Sequence, residues 1–289
     1  MGEGAHFNRI ALFGVGLLGG AIGMKSREIG LAEHVVGIGR DPQRLETAHA
    51  MGAIDEWSTD IKKGSVDCDL FILCVPVQKI LDYMPMVADA VPSGCIVTDV
   101  GSTKKSIVET SIQLFKNDSY FVGSHPMTGS DKSGCLHSSQ VVFNGITSFV
   151  AITPETDYSA AARVALFWKA LGMIPVLIDP ARHDDYIALV SHLPHLAAAA
   201  LADAVSRCPE DLNFIRQICG KGFRDTTRIA MGDIAMWLEI CLENRDNLLS
   251  RLDGFINILG EIRSAISNRD ANAIETFLAH AKSFRETFD

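Results

Sequence analysis

The sequence predicts an α/β N-terminal Rossmann domain with a mainly parallel sheet, followed by an all-α C-terminal domain. Three observations carry this. From Arg9 to about Asp179, short β-branched runs alternate with longer helical patterns, as chains of βαβ units do. The first run opens into Gly14-Val15-Gly16-Leu17-Leu18-Gly19, a glycine motif set between a strand and a helix. After Pro180 the β-runs stop, and the chain to Asp289 reads as amphipathic helices. A length of 289 residues suits two domains, because single cores stop growing near this size. The junction is expected at Asp179-Pro180, giving units 1–179 and 180–289.

Strands are expected over 10–13, 35–38, 70–75, 96–99, 121–123, 149–152 and 176–178. Most are continuous apolar runs, as strands covered on both faces require. Helices are expected between them, for example over 77–91 and 159–171. In the second half, breaks are expected at Pro209, Gly222 and Gly232, and apolar spacing continues unbroken from 233 to 266. That stretch is longer than a small lone domain needs and points to a homodimer formed through the helical domain.

Composition narrows the function classes. Apolar residues make up 47% and charged residues 21%, enough to bury a core and too balanced for disorder. A net charge of −9 offers no field for nucleic acid or an anionic membrane. Cysteines stand at 68, 74, 95, 135, 208, 219 and 241 without a CxxC pair, which argues against a disulfide framework or a zinc knuckle and for reducing cytosol. The start of the chain has no charged-then-apolar leader, and no apolar stretch is read as approaching the roughly 20 residues of a membrane span. A cytoplasmic location is the expectation.

The glycine motif supplies a dinucleotide site. Gly14, Gly16 and Gly19 permit a tight turn, close approach to a pyrophosphate and close helix packing, while the N–H groups of Leu17, Leu18 and Gly19 open the helix toward the phosphates. NAD binding usually places an acid about 20 residues on, at the end of the second strand. Here that position is Gly39, followed by Arg40, with Asp41 beyond it. Arg40 offers a guanidinium to a 2′-phosphate and favours NADP; with Arg40 as a solvated charge and Asp41 on the ribose, the cofactor is NAD. Cys74, Val75 and Pro76 end the third long apolar run and either form a wall of the cofactor site or a simple turn.

Two further groups sit at the carboxyl ends of expected strands, where open α/β sheets bind ligands: Asp99-Val100-Gly101-Ser102, and Gly123-Ser124-His125-Pro126-Met127. His125 stands out, since a neutral imidazole accepts a carbinol proton near pH 7 while hydride departs; a lone histidine is as often structural. From the helical half come Ser191-His192-Leu193-Pro194-His195 and Gly222-Phe223-Arg224-Asp225-Thr226-Thr227-Arg228. Arg228 can clamp a carboxylate, with Asp225 one turn earlier holding its guanidinium, or the two form an ordinary intrahelical ion pair. His192 and His195 lack a third ligand at matching spacing, so no metal is assigned.

The 14–19 motif, the Asp99-to-Ser102 element continued by Thr103-Lys104, the run Gly123-Ser124-His125-Pro126-Met127-Thr128-Gly129-Ser130-Asp131, the Ser191-to-His195 pentapeptide and the 222–228 segment through Trp237 together resemble the prephenate dehydrogenase family, in the family's order and over nearly the whole chain. The resemblance implies oxidative decarboxylation of prephenate or arogenate with hydride transfer to NAD(P), on the way to tyrosine. It implies that His125 binds the ring hydroxyl and takes its proton, with Ser102 supporting that hydroxyl. Arg228 would neutralise a substrate carboxylate, Ser191 and His195 would meet the ring substituents, Ser130 would line the pocket, and Asp131 and Asp225 would tether cationic groups. The family's usual acid after the second strand is missing here, which leaves NAD against NADP open.

Overall fold

The computed structural model describes residues 6–115, 119–129, 134–208 and 212–288. In chain order the first half runs β1 (Phe7–Phe13), α1 (Leu17–Glu28), β2 (Ala32–Ile38), α2 (Pro42–Ala50), β3 (Glu56–Ser58), α3 (Ile61–Gly64), β4 (Leu70–Leu73), α4 (Val77–Ala90), β5 (Ile96–Asp99), α5 (Lys105–Leu114), β6 (Tyr120–Val122), β7 (Ser124–Pro126), β8 (Thr147–Ala151), α6 (Tyr158–Ala170) and β9 (Ile174–Ile178). The second half is helical: α7 (Pro180–Ile187), α8 (Leu193–Ser206), α9 (Leu212–Ile218), α10 (Lys221–Thr227), α11 (Ile234–Glu243), α12 (Arg245–Ser267) and α13 (Ala271–Glu286).

Six strands form a parallel sheet in the order β3-β2-β1-β4-β5-β6. The central strand β1 sends alternate side chains to opposite faces. Ile10 and Leu12 join a cluster with Ile22 of α1 and Phe167 and Trp168 of α6, while Ala11 and Phe13 join one with Ile80 and Met84 of α4. Burying each large side chain stabilises the fold by roughly 1.5–3 kcal/mol, and this two-sided core locks the strand order. The order reverses between β1 and β4, so the crevice at their carboxyl ends is where such a sheet takes its ligand.

The continuous parallel sheet expected from the seven apolar runs is divided. After β6 the chain turns at Gly123, whose carbonyl accepts from the Ala151 N–H at 2.8 Å. It then enters a second sheet, β7-β8-β9, with β7 antiparallel and β9 parallel to β8. His125 lies inside β7, opposite Phe149, and so is fixed by a strand ladder instead of standing on a loop past a strand end. The run over 70–75 stops as a strand at Leu73, with Cys74 held by its N–H to the Phe13 carbonyl at 2.8 Å. The short edge strand β3 carries no apolar run and gave no signal.

In the helical half, the stretch read as one helix over 233–266 is broken at Asn244, between α11 and α12. Gly222 lies within α10 and does not end it; Pro209 is outside the described residues. The helical run 180–206 passes unbroken through a π-turn over Ala188–His192. Its 27 residues are long and apolar enough to cross a membrane by length and composition, contrary to the expectation that no such stretch exists. Its polar members His183, Asp184, His192 and His195 are buried, whereas only 28% of its apolar window is.

Helix starts sort the molecule into two kinds. Asp41, Asp157, Asp179, Asp233 and Asp270 cap α2, α6, α7, α11 and α13 with their own carboxylates. At the sheet's carboxyl edge α1, α4 and α5 have no such local cap. The helical half caps two of them instead. Asp184 accepts from the Lys104 and Lys105 N–H groups at 2.7 and 2.9 Å, and Glu239 accepts from the Gln78 N–H at 3.2 Å. Of these three helices, only α1 has no side-chain cap on its amino end among the described residues.

Between these elements Asp99 and Lys104 form an ion pair with both side chains fully buried. Asp99 also accepts from the N–H groups of Gly101 at 2.8 Å and Ser124 at 3.0 Å, which ties β5 to β7. Replacing Lys104 by Met leaves a buried anion without its cation. A loss of about 3–5 kcal/mol is expected in denaturant unfolding. An unchanged unfolding midpoint would mean that water reaches the carboxylate.

Candidate active site

At the reversal point of the sheet, the three motif glycines divide their work. Gly14 has φ +94, and a Cβ there would lie 2.5 Å from a Val75 methyl and 2.7 Å from the Cys74 carbonyl. A Cβ on Gly19 would overlap the Gly14 carbonyl. These two are glycine because β1, β4 and α1 crowd together. Gly16 is different: a Cβ there would meet nothing within 4 Å, and as N-cap of α1 it has no side-chain partner. It opens the amino end of α1, with the N–H groups of Leu17, Leu18 and Gly19, to an anion. The residues therefore fit a dinucleotide pyrophosphate. Cys74, Val75 and Pro76 form the opposite rim, where the Cys74 thiol is raised far above its ordinary range by burial and then by the Asp99 charge.

At the end of β2, Gly39 is partly buried and Arg40 is exposed. Asp41 is occupied: its Oδ1 accepts from the Gln43 and Arg44 N–H groups at 3.0 and 3.3 Å. A carboxylate committed to a helix start has less to offer a ribose, whereas the neighbouring guanidinium of Arg40 stands in solvent.

His125 is the most constrained side chain of the site. Its Nδ1 lies 2.9 Å from Nε2 of His183, and Nδ1 of His183 lies 2.7 Å from the Asp184 carboxylate. A carboxylate only accepts, so His183 Nδ1 carries a proton, and its neutral ring presents a bare Nε2 to His125. His125 must then donate from Nδ1, which leaves its own Nε2 as a lone pair. No hydrogen bond among the described residues engages that Nε2. Burial, and then the nearby His183, Lys104 and His192, hold the His125 pKa well below the ordinary imidazole value. The edge of the His183 ring meets Phe149 at 5.1 Å, which fixes its plane.

His183, Asp184 and Asn244 are absent from the sequence reading of the site. Asn244 donates to the Asp184 carbonyl at 2.7 Å and approaches His192 Nδ1 at 3.2 Å. His192 is buried, which lowers its pKa to about 4. The signal available was the polar pair His183-Asp184 early in an amphipathic helix, indistinguishable in sequence from a solvated first turn.

On the helical side, His195 is buried and stacked on Trp237, with ring centroids 3.5 Å apart and planes 13° from parallel. Gly232 makes this possible, since a Cβ there would lie 2.5 Å from the indole Nε1. Ser191, in the π-turn, and Ser102, after β5, are partly buried. Arg228, at the end of α10, is exposed, and its turn packs on α8, which carries His195. The ion pair expected between Asp225 and Arg228 is not formed among the described residues; both side chains stand in solvent, where such a pair gains little. Ser130 and Asp131 lie outside the described residues. Among the described residues no cluster of three or more metal-ligating side chains occurs.

The comparisons with known proteins agree with one another. The family model "Prephenate dehydrogenase, nucleotide-binding domain" matches residues 22–175, and "Prephenate dehydrogenase, dimerization domain" matches residues 179–281. The chain is similar to a prephenate dehydrogenase of Bacillus subtilis, 30% identical over 280 residues, spanning 96% of this chain and 75% of the relative. It is also similar to one of Lactococcus lactis, 32% identical over 284 residues, spanning 97% and 77%. Among solved structures, the prephenate dehydrogenase of A. aeolicus in complex with hydroxyphenyl propionate and NAD+ superposes with a TM-score of 0.90 at 28% identity, covering 98% of each chain.

The glycine geometry makes a paired prediction. Gly16→Ala should fold normally but weaken dinucleotide binding, read by titration, because its Cβ projects into the open space at α1. Gly19→Ala should instead lose roughly 1–3 kcal/mol of stability through overpacking. Equal thermal stability of the two variants would contradict this division.

Proposed function

The chain belongs to the prephenate dehydrogenase family, an oxidoreductase family of tyrosine biosynthesis, and on that premise we propose how its own residues carry the reaction. The observation that supports the reading most is the His125 imidazole, neutral and bare at Nε2, close to the carboxyl edge of a nucleotide-binding sheet. His125 Nε2 accepts the ring hydroxyl proton of prephenate as the carbinol carbon gives up hydride. Bound nicotinamide supplies the hydride acceptor. The resulting dienone loses carbon dioxide and aromatises to 4-hydroxyphenylpyruvate, a downhill step that needs no further base.

Ser102 supports the hydroxyl beside His125, and Ser191 and His195 meet the ring substituents. Arg228 binds a substrate carboxylate as a fixed cation. Gly14, Gly16, Leu17, Leu18 and Gly19 hold the pyrophosphate, with Cys74, Val75 and Pro76 as the facing wall. Gly39 and Arg40 receive the adenosine ribose. The exposed Arg40 beside a committed Asp41 favours NADP over NAD. The chain divides at Asp179-Pro180 and works as a cytoplasmic homodimer paired through its helical half.

Steady-state turnover of prephenate and of arogenate, each with NADP+ and NAD+, tests the assignment. Prephenate and arogenate differ only in a keto or amino side chain, so one or two pocket contacts decide between them. No rate in any combination would defeat it. Arg40→Ala should weaken NADP+ far more than NAD+; equal loss would return Arg40 to a surface charge.

The pH profile follows from the same geometry. Protonation of His125 removes the lone pair, so kcat falls toward acid. Because burial and its neighbours lower the His125 pKa, that acid limb should lie below the free-imidazole value of about 6.5. A limb at or above that value would contradict the role. His125→Asn should keep cofactor affinity and lose about 10²–10⁴ in kcat, the usual contribution of a general base.

A further inference from the structure

We propose that Asp184 is a positioning residue for the oxidation, selecting the reactive tautomer of His125 through His183. The inference rests on the reading of His125 as the base, and it adds a residue that touches neither substrate nor cofactor. Its basis is a directed chain of hydrogen bonds. Asp184 Oδ1 accepts from His183 Nδ1 at 2.7 Å, and His183 Nε2 accepts from His125 Nδ1 at 2.9 Å. Each link fixes the proton on the next, so the only atom able to set the direction is the carboxylate, which has no proton to give.

The carboxylate is itself held so that it cannot turn away. Its oxygens accept from the Lys104 and Lys105 N–H groups at 2.7 and 2.9 Å, at the amino end of α5, where the helix dipole favours an anion. The Asp184 carbonyl is held by Asn244 at 2.7 Å. His183 is fully buried, so water cannot replace the missing acceptor at low cost. Without Asp184, His183 is free to carry its proton on Nε2. It would then donate toward His125, which would accept at Nδ1 and carry its own proton on Nε2, the atom that must be bare.

A helix cap alone would stabilise α5 and leave the chemistry untouched. The distinction is measurable in the full-length chain. Asp184→Ala and His183→Phe should each lower kcat roughly 10- to 100-fold, part of what a general base contributes, with KM for prephenate and NADP+ affinity changed less than twofold. The double variant should cost no more than the larger single loss, because both act through one chain. Nitrogen-15 NMR of the histidine rings should show His125 protonated at Nδ1 in the parent chain and a population protonated at Nε2 in each variant. If Asp184→Ala fails to fold, His183→Phe, which leaves the Asp184 carboxylate on the start of α5, carries the same test. Multiplying losses in the double variant, or an unchanged His125 tautomer, would overturn the proposal. If the parent chain turns over neither prephenate nor arogenate, the reaction assigned to the site fails, while the ring spectra still decide whether Asp184 sets the tautomer.

Discussion

A carboxylate taken out of water needs donors, and Asp184 finds three: the first N–H groups of α5 and the imidazole of His183. This one side chain joins the two halves of the molecule at a polar contact, where apolar packing would leave α5 with unpaired N–H groups. Glu239 repeats the device on α4, and Glu243 accepts from the Ser106 hydroxyl at 2.9 Å. The helical half thus supplies anions to the helix starts at the carboxyl edge of the sheet. The exception, α1, is the helix whose glycine motif provides for a phosphate, so the same physical need is met from within the protein at two helices and by a ligand at the third.

Charges alternate through this buried region. Asp99 faces Lys104, whose backbone N–H meets Asp184, which meets His183 and then His125. Burial lowers the Lys104 pKa, while Asp99 and Asp184 oppose that shift. A cation retained there, near a buried ring, raises the free energy of a protonated His125, after the larger effect of burial. Electrostatics and hydrogen-bond direction therefore act on different properties of one imidazole: the cation disfavours its charge, and the acceptor chain fixes which nitrogen is bare. Neither effect is available to a histidine on a solvated loop.

What could be read from the sequence was what is encoded locally. Strands β1, β2, β4 and β5 are runs of apolar residues because both their faces are covered, and the glycine motif has a spacing that only a strand, turn and helix satisfy. His125 stood out in the sequence as a candidate base, but its placement within β7 did not, since the split of the sheet at Gly123 depends on pairing with β8, some 24 residues further on. His183 and Asp184 were missed for the same reason: their partners lie 58 and 80 residues away. Asn244 sat inside an apolar helical pattern and broke it. Conversely, the spacing of Asp225 and Arg228 suggested a pair, and solvent removed the incentive to form it.

Among the described residues the helical half contributes no member to the two buried clusters of the sheet domain. Among the described residues α9, α10 and α13 bury no side chain fully, and α12 buries only Leu248. Ile234, Leu238 and Leu242 of α11 and Ile256 and Leu259 of α12 stand in solvent in the single chain. Apolar surface on this scale favours association, and residues 179–281 match the family's dimerization-domain model. The site draws on the same helices, since Trp237 of α11 stacks on His195 and Asn244, at the α11–α12 junction, holds Asp184. The exposed apolar faces of α11 and α12 and the side chains that hold Asp184 and His195 therefore lie on one pair of helices.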